Sequence, residues 1–197
     1  MTVRVLRRAD HQRMPWRNGG GLTAQVACSP DGSGSADFDW RVSFAEVERT
    51  GEFSSFPGVD RVIVLVEGPA MTLTVDGLPH VLQRHLPFAF DGESAVRCEV
   101  RGPTFDLNVM TRRGRAEARV EVLELDQALR PIRSAGHLLV AVLAGEVTAA
   151  DAGHVWELGV GDVVVGDERS SLSLRGTGRV ATITLIDRRS ERSPNAG

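Results

Sequence analysis

Short apolar runs bounded by glycine and proline fill most of this chain, and the three-to-four-residue spacing of an amphipathic helix is almost absent. Phe105–Met110 shows the pattern, with Phe105, Leu107 and Val109 alternating against polar or sulfur-bearing neighbours. Asp-Gly pairs at 76–77 and 91–92 supply turn chemistry between such runs. The sequence therefore predicts an all-β fold, with one short helical turn near Asp126–Arg130.

The two halves of the sequence resemble each other. In the first half, Val62–Gly68 (VIVLVEG) leads through a glycine turn to Ala95–Gly102 and then to Phe105–Met110. In the second half, Leu139–Gly145 (LVAVLAG) begins a similar series. This order favours a duplicated cupin, or bicupin, made of two double-stranded β-helix (jelly-roll) barrels. We expect an N-terminal barrel with the ligand pocket over residues 1–115, a mainly structural C-terminal barrel over 116–188 and a flexible tail over 189–197.

Composition excludes several functional classes. The net charge is -3, and the 23 cationic residues, all arginine, form no sustained basic run, which argues against nucleic-acid binding. No apolar stretch approaches the roughly 18 residues of a membrane span, and the first 20 residues lack the apolar core of a signal peptide. Cys28 and Cys98 are too isolated for a disulfide framework. We expect a cytoplasmic protein that binds neither nucleic acid nor membranes.

The histidines do not form a metal-ligand pattern. His80 and His85 are separated by four residues, so an unbroken strand would point them to opposite faces. His137 and His154 are isolated. The sequence predicts neither a metal site nor another cofactor.

Polar residues in the first half are placed where strands normally carry core residues. Arg41 alternates with the apolar positions of Trp40–Val47, and Asp106 and Asn108 do so in Phe105–Met110. With Arg61, they are expected to meet inside a barrel mouth, where apolar walls and a few polar groups make a small-molecule site. The alternative is a structural salt bridge from Arg41 or Arg61 to Asp106.

A third segment, Met14–Gly21 (MPWRNGGG), combines an aromatic residue, a cation, an amide and three consecutive glycines. Three glycines let a backbone approach a ligand or another strand closely. The segment neither follows a strand nor opens a helix with a lysine, which argues against a phosphate loop. A tight turn with Trp16 as a core residue is the competing interpretation.

These segments together resemble the HutD/Ves family of bicupin-like proteins of the RmlC-like cupin superfamily. The resemblance rests on Pro15–Thr23, Phe38–Val47, Gly51–Gly68, Pro87–Glu93 and Phe105–Gly114. It implies a duplicated barrel without a catalytic metal, a link to bacterial histidine utilisation for the HutD branch and a stress-associated protein for the Ves branch. The positions that it marks for ligand binding are Trp16, Asn18, Gly19, Gly20, Gly21, Arg41, Ser43, Phe56, Asp60, Arg61, Asp106, Asn108, Met110 and Arg112, with Pro57 and Gly58 in the same motif.

The resemblance implies a protein that senses a small carboxylate of histidine degradation, such as urocanate or formylglutamate. Arg61 is expected to hold the carboxylate with a bidentate fork, Arg41 to add a donor, and Asn18 or Asn108 to read a polar group. The small anionic metabolite is the expected partner, and the sequence leaves a homodimer open. One rival is a metal-independent isomerase, lyase or hydrolase with Asp106 or His85 as general base. The other is an interaction scaffold whose barrel is filled by side chains.

Overall fold

The computed structural model describes residues 3–16, 19–34, 37–167 and 170–188, and in these ranges the chain is all-β. A 3₁₀ turn at Arg8–Asp10 is the helical element of the described ranges, so no helix there could span a membrane. The strands are β1 (Arg4–Leu6), β2 (Gln12–Pro15), β3 (Gly21–Ser29), β4 (Trp40–Val47), β5 (Gly51–Glu52), β6 (Val59–Glu67), β7 (Met71–Val75), β8 (Leu78–Leu82), β9 (Pro87–Asp91), β10 (Val96–Val100), β11 (Thr104–Arg112), β12 (Ala116–Asp126), β13 (Arg130–Arg133), β14 (His137–Ala150), β15 (Val155–Leu158), β16 (Val163–Gly166) and β17 (Ser171–Asp187).

The first half of the chain builds two sheets that share one core. A six-stranded sheet has the order β2-β3-β4-β11-β6-β9, and a four-stranded sheet has the order β5-β10-β7-β8. Ile63 and Leu65 of the larger sheet pack in one cluster with Leu73 and Cys98 of the smaller one. Side chains alternate along a strand, so every second residue of β4, β6 and β11 also faces this interior. We call this space the N-terminal barrel.

The second half forms a seven-stranded sheet around the order β1-β16-β14-β17-β12, with β13 on β17 and β15 on β14. Residues from both ends of β14, such as Leu138 and Ala149, share one buried cluster with Leu172 and Val180 of β17. Two ends of one strand can share a core only if the sheet bends over itself. An irregularity in the pairing of β14 with β17, between Val142 and Ala144, marks the bend. The buried members of this cluster are aliphatic, and the partly buried Trp156 packs against them.

A third core joins the two halves. Phe44 and Leu107, on the outer face of the six-stranded sheet, pack in one buried cluster with Leu139 and Ile183 of the seven-stranded sheet. β1 also joins the two halves, because it precedes the strands of the first half in sequence but pairs with β16 of the second half. The predicted duplication and the boundary at residue 115 remain predictions, and the predicted tail lies outside the described residues.

The expected helical turn near Asp126–Arg130 is wrong. β12 ends at Asp126, β13 begins at Arg130, and Gln127 between them has a φ of 69°. That left-handed backbone conformation is incompatible with a right-handed helical turn.

Candidate functional site

The strand register brings six of the expected site residues onto the inner face of the six-stranded sheet. β11 runs between β4 and β6, and Met110 lies directly between Arg41 and Arg61. Two residues back along β11, Asn108 lies between Ser43 and Ile63. Directly paired residues share a face, and the pleat repeats every two residues. The residues brought together in this way are Arg41, Ser43, Arg61, Asp106, Asn108 and Met110.

The charged members of this set are withdrawn from water. Arg41 is 6% exposed, Arg61 is 5% exposed and Asp106 is 1% exposed. Buried charges in proteins are normally paired, because the interior solvates them poorly. Arg61 and Asp106 nevertheless form no ion pair, and neither Asp106 oxygen has a hydrogen-bond partner among the described residues. The structural salt bridge that the sequence left open is therefore not formed in the described part of the chain.

Three further polar atoms of the same face lack a partner within the described ranges, namely Nε of Arg41, Nε of Arg61 and Oδ1 of Asn108. Buried polar atoms are satisfied in the great majority of native positions, and exceptions concentrate where a protein uses the group. This face holds both donors and acceptors. It can therefore hydrogen-bond a molecule that carries an anionic group.

Burial controls the ionisation of these groups. Desolvation raises the pKa of Asp106 to about 7, although the Arg61 charge acts in the opposite direction. Desolvation lowers the pKa of Arg61 to about 10, opposed by Asp106 and reinforced by Arg41. The pKa of Arg41 is also lowered by burial. Near neutral pH, Arg61 is a cation and Asp106 exchanges between its neutral and charged forms.

Three phenylalanine rings surround the Arg61 guanidinium. Its central carbon lies 4.9 Å from the ring centre of Phe90, 5.2 Å from that of Phe53 and 5.6 Å from that of Phe56. Rings at these distances attract a cation and exclude water. They therefore form an apolar, aromatic environment around this cation. The sequence predicts Phe56 at the site but neither Phe53 nor Phe90. Phe90 reaches Arg61 because β9 pairs with β6, and the sequence alone does not reveal that register.

The glycine run forms a tight turn. The Trp16 amide donates to the Gly21 carbonyl, and the Gly19 amide donates to the Trp16 carbonyl, so the turn uses the Gly19 N–H internally. A Cβ on Gly21 would lie 2.2 Å from the Glu46 carbonyl oxygen, so β3 and β4 approach too closely there for a side chain. The Gly20 carbonyl accepts from two backbone amides in the same region. Asn18 lies outside the described residues.

Trp16 joins the site indirectly. Its indole Nε1 donates to the Thr23 hydroxyl at 2.8 Å, and its ring meets the Phe53 ring edge to face at 6.0 Å between centres. Phe53 in turn contacts Arg61. Trp16 therefore supports the aromatic surroundings of Arg61.

Asp60 and Arg112 are not brought into this group. Asp60 is exposed on the opposite face of β6 from Arg61 and pairs with Arg113 at 3.0 Å. Arg112 donates from Nε to the Phe38 carbonyl at 3.0 Å and lies over the Phe38 ring. Gly58, with a φ of 72°, forms the turn that leads into β6. These residues build one end of the barrel.

His85, one of the two candidate general bases, lies between the two halves and away from Arg61. Its Nε2 donates to the Val66 carbonyl at 3.1 Å, and its Nδ1 accepts from Arg179 at 3.3 Å, the tautomer being assigned from these partners. Burial lowers its pKa. The described residues contain no group of three or more His, Cys, Asp or Glu arranged to hold a metal ion.

An open groove of about 630 Å³ lies on the other face of the six-stranded sheet, beside β12. Its lining includes Asp60, Val62, Val109 and Glu117, together with Arg61 and Phe90 of the candidate site. Asp60 pairs with Arg113, which also pairs with Glu93, and Glu117 pairs with Arg188. The buried polar atoms without partners, on Arg41, Arg61, Asp106 and Asn108, lie on the inner face of the sheet. We therefore place the candidate site on that inner face and not in this groove.

Asp106→Asn is expected to stabilise the protein increasingly as the pH rises above about 4, and to have no such effect below that pH. The folded-state pKa of Asp106 is raised, so the folded state resists ionisation that the unfolded chain undergoes near pH 4. The parent protein therefore loses stability as the pH rises from about 4 to about 7, by about 2 to 4 kcal/mol, and Asn removes this loss. Thermal or urea unfolding of both proteins at pH 4, 6 and 8 measures it. Equal pH profiles would contradict the prediction, and Asp60→Asn, at an exposed carboxylate, is the matched control.

Comparison with known proteins identifies the family. The family model described as HutD matches residues 8–183. Protein Ves of Citrobacter koseri is 39% identical over 161 residues, which cover 76% of this chain and 82% of that protein. An uncharacterized 21.2 kDa protein in the hutC 3′ region of Pseudomonas putida is 36% identical over 190 residues, covering 94% of this chain and 98% of that protein.

Solved structures agree in fold. HutD from Pseudomonas fluorescens, in a formate condition, superposes with a TM-score of 0.81 at 36% identity, covering 95% of this chain and all of that chain (100%). A Cupin 2 conserved barrel domain protein from Leptotrichia buccalis has a TM-score of 0.59 at 11% identity, covering 85% and 88%, which shows a cupin-like fold alone. The HutD match over residues 8–183 and these relatives show that the chain belongs to the HutD family.

Proposed function

We propose that the N-terminal barrel binds a small carboxylate metabolite at Arg61. The observation that carries this proposal is the set of buried, unpaired polar atoms on Arg41, Arg61, Asp106 and Asn108. A carboxylate seated at Arg61 would receive charge-assisted hydrogen bonds in surroundings that exclude water, where such bonds are strongest. Phe53, Phe56 and Phe90 supply the apolar wall.

The HutD family is linked by its name to histidine utilisation, and that link supports a ligand from this pathway. We therefore propose urocanate or N-formylglutamate as the ligand, sensed by a cytoplasmic protein that modulates the pathway. We further propose that the two halves are duplicated cupin barrels, with binding in the first and support from the second. Formation of a homodimer stays a prediction.

Calorimetric titration of the whole chain with urocanate, N-formylglutamate and formate tests the proposal. At least one of these carboxylates is expected to bind with one ligand per chain. The neutral amide of the same acid is expected to bind at least about tenfold more weakly, because it cannot use the positive charge of Arg61. Equal affinity for the acid and its amide would contradict the proposal, as would the absence of binding by all three acids.

Asp106 favours one alternative, a metal-independent enzyme. A buried carboxyl with a pKa of about 7 can accept and return a proton at neutral pH, as a general base must. Conversion of a candidate acid by the protein, lost in Asp106→Asn, would favour catalysis. Binding without conversion over hours at high protein concentration would favour a sensor.

A further inference from the structure

Asp106 lies among groups whose charges respond to a ligand. It is the third residue of β11, faces the interior of the N-terminal barrel and is 1% exposed. The titratable and charged groups that face this interior from the packed strands are Cys28 on β3, Arg41 on β4, Arg61 on β6, His80 on β8 and Cys98 on β10. Arg61 is the cation that acts on Asp106.

We propose that the barrel takes up a proton from solvent on an Asp106 carboxylate oxygen when it takes up an anion beside Arg61. This inference rests on the proposed function, because it concerns the same site. The proton adds to the ionised fraction of Asp106, so the bound state holds a neutral carboxyl group next to the anion. The affinity for the anion then falls as solution becomes more alkaline.

The physical reason is the competition of two negative charges for one cation. Asp106 has no hydrogen-bond donor among the described residues, so the positive field of Arg61 is what favours its ionised form. A bound carboxylate neutralises that field and adds a negative charge in an interior that screens charges weakly. Protonation of Asp106 removes the resulting repulsion.

Protonation also changes what Asp106 can bind. An ionised carboxylate only accepts hydrogen bonds, whereas the neutral acid donates one. Oδ1 of Asn108, two residues along the same face, is an acceptor without a partner in the described chain. A neutral Asp106 can therefore donate to Asn108 or to an oxygen of the ligand. The neutral form therefore offers a hydrogen-bond donor that the ionised form lacks.

The neighbouring cysteine does not compete for this role. Burial, reinforced by Asp106, raises the pKa of Cys98 to about 12, so its thiol stays neutral between pH 6 and pH 9. His80 packs against Phe88, with 4.8 Å between ring centres, at the far edge of the small sheet. A His80→Gln variant separates any contribution of this imidazole from that of Asp106.

Calorimetry between pH 6 and pH 9, in pairs of buffers with different ionisation enthalpies, tests the coupling. The probe is N-formylglutamate, with formate as a second probe, because the carboxyl groups of both stay ionised throughout this range. We expect the parent protein to take up about half a proton per ligand at pH 7, and its affinity to fall towards tenfold per pH unit above about pH 8. Asp106→Asn should bind with an affinity that does not change with pH and without proton uptake.

The outcomes are distinguishable. His80→Gln and the surface variant Asp60→Asn should keep the pH dependence of the parent protein. Binding by the parent with equal affinity at pH 6 and pH 9, or a pH dependence that persists in Asp106→Asn, would overturn the proton uptake and leave carboxylate binding intact. Failure of both the parent and Asp106→Asn to bind urocanate, N-formylglutamate or formate at pH 6 would overturn the proposed function and this inference with it.

Discussion

Arg61→Met is expected to lower the affinity of the protein for the proposed carboxylate ligand by about a hundredfold or more, because it removes the charged fork from a site that water does not reach. Arg61 is 5% exposed, and the central carbon of its guanidinium lies within 5.6 Å of three phenylalanine ring centres. Methionine keeps much of the side-chain volume against those rings. The measurement is calorimetric titration with urocanate and N-formylglutamate at pH 6.5, with a thermal unfolding curve to confirm that the variant is folded.

Two further variants sharpen the result. Arg61→Lys keeps the charge but not the planar fork, and we expect it to recover only part of the affinity. Arg97→Met is the matched control, because Arg97 lies on β10 with its side chain half-exposed and pairs with Glu52 at 3.0 Å. Arg97→Met should bind like the parent protein. If Arg61→Met also binds like the parent, Arg61 does not hold the ligand.

Alternation along single strands made much of the site predictable from sequence. Arg41 and Ser43 share a face of β4, and Asp106, Asn108 and Met110 share a face of β11, as their spacing of two residues requires. The same rule could have excluded Asp60, since it directly precedes Arg61 and must face the other side of a regular strand. The motif resemblance selected both residues, whereas the geometry separates them.

Contacts between distant segments could not be predicted in the same way. Phe53 lies in a loop and Phe90 lies on β9, and only the folded chain brings them to Arg61. Whether Arg61 and Asp106 form an ion pair depends on side-chain positions that no sequence pattern encodes. The sequence left a salt bridge open, and the structure shows both side chains buried without an ion pair between them.

For the fold, too, local features could be predicted from the sequence, whereas pairings between distant strands could not. Strand-like runs and Asp-Gly turns predicted the all-β architecture, which the described residues confirm. The pairing of β1 with β16 joins residues more than 150 positions apart, and no local signal announces it. The bend in the second half also depends on long-range pairing, because it places Gly145 directly opposite Gly178.

Gly145→Ala is expected to lower the free energy of unfolding by at least about 3 kcal/mol, a large effect for one methyl group. Gly145 has a φ of 75°, a conformation that alanine rarely adopts, and an added Cβ would lie 1.9 Å from the Thr177 carbonyl oxygen. Backbone atoms of β17 must move to relieve that overlap, which breaks the β14–β17 ladder at its bend. For a chain of this size, the midpoint of thermal unfolding should fall by about 6 to 12 °C.

Gly159→Ala is the matched control, because nothing lies within 4 Å of its added Cβ and its φ is not positive. It should leave the unfolding midpoint unchanged or raise it slightly, since alanine restricts the unfolded chain more than glycine does. The pair separates a general cost of losing glycine from the specific overlap at the bend. A fall for Gly145→Ala no larger than that for Gly159→Ala would mean that β14 and β17 do not approach each other at Gly145 as closely as the structure places them. The apolar core of the second half would then require a different path for both strands.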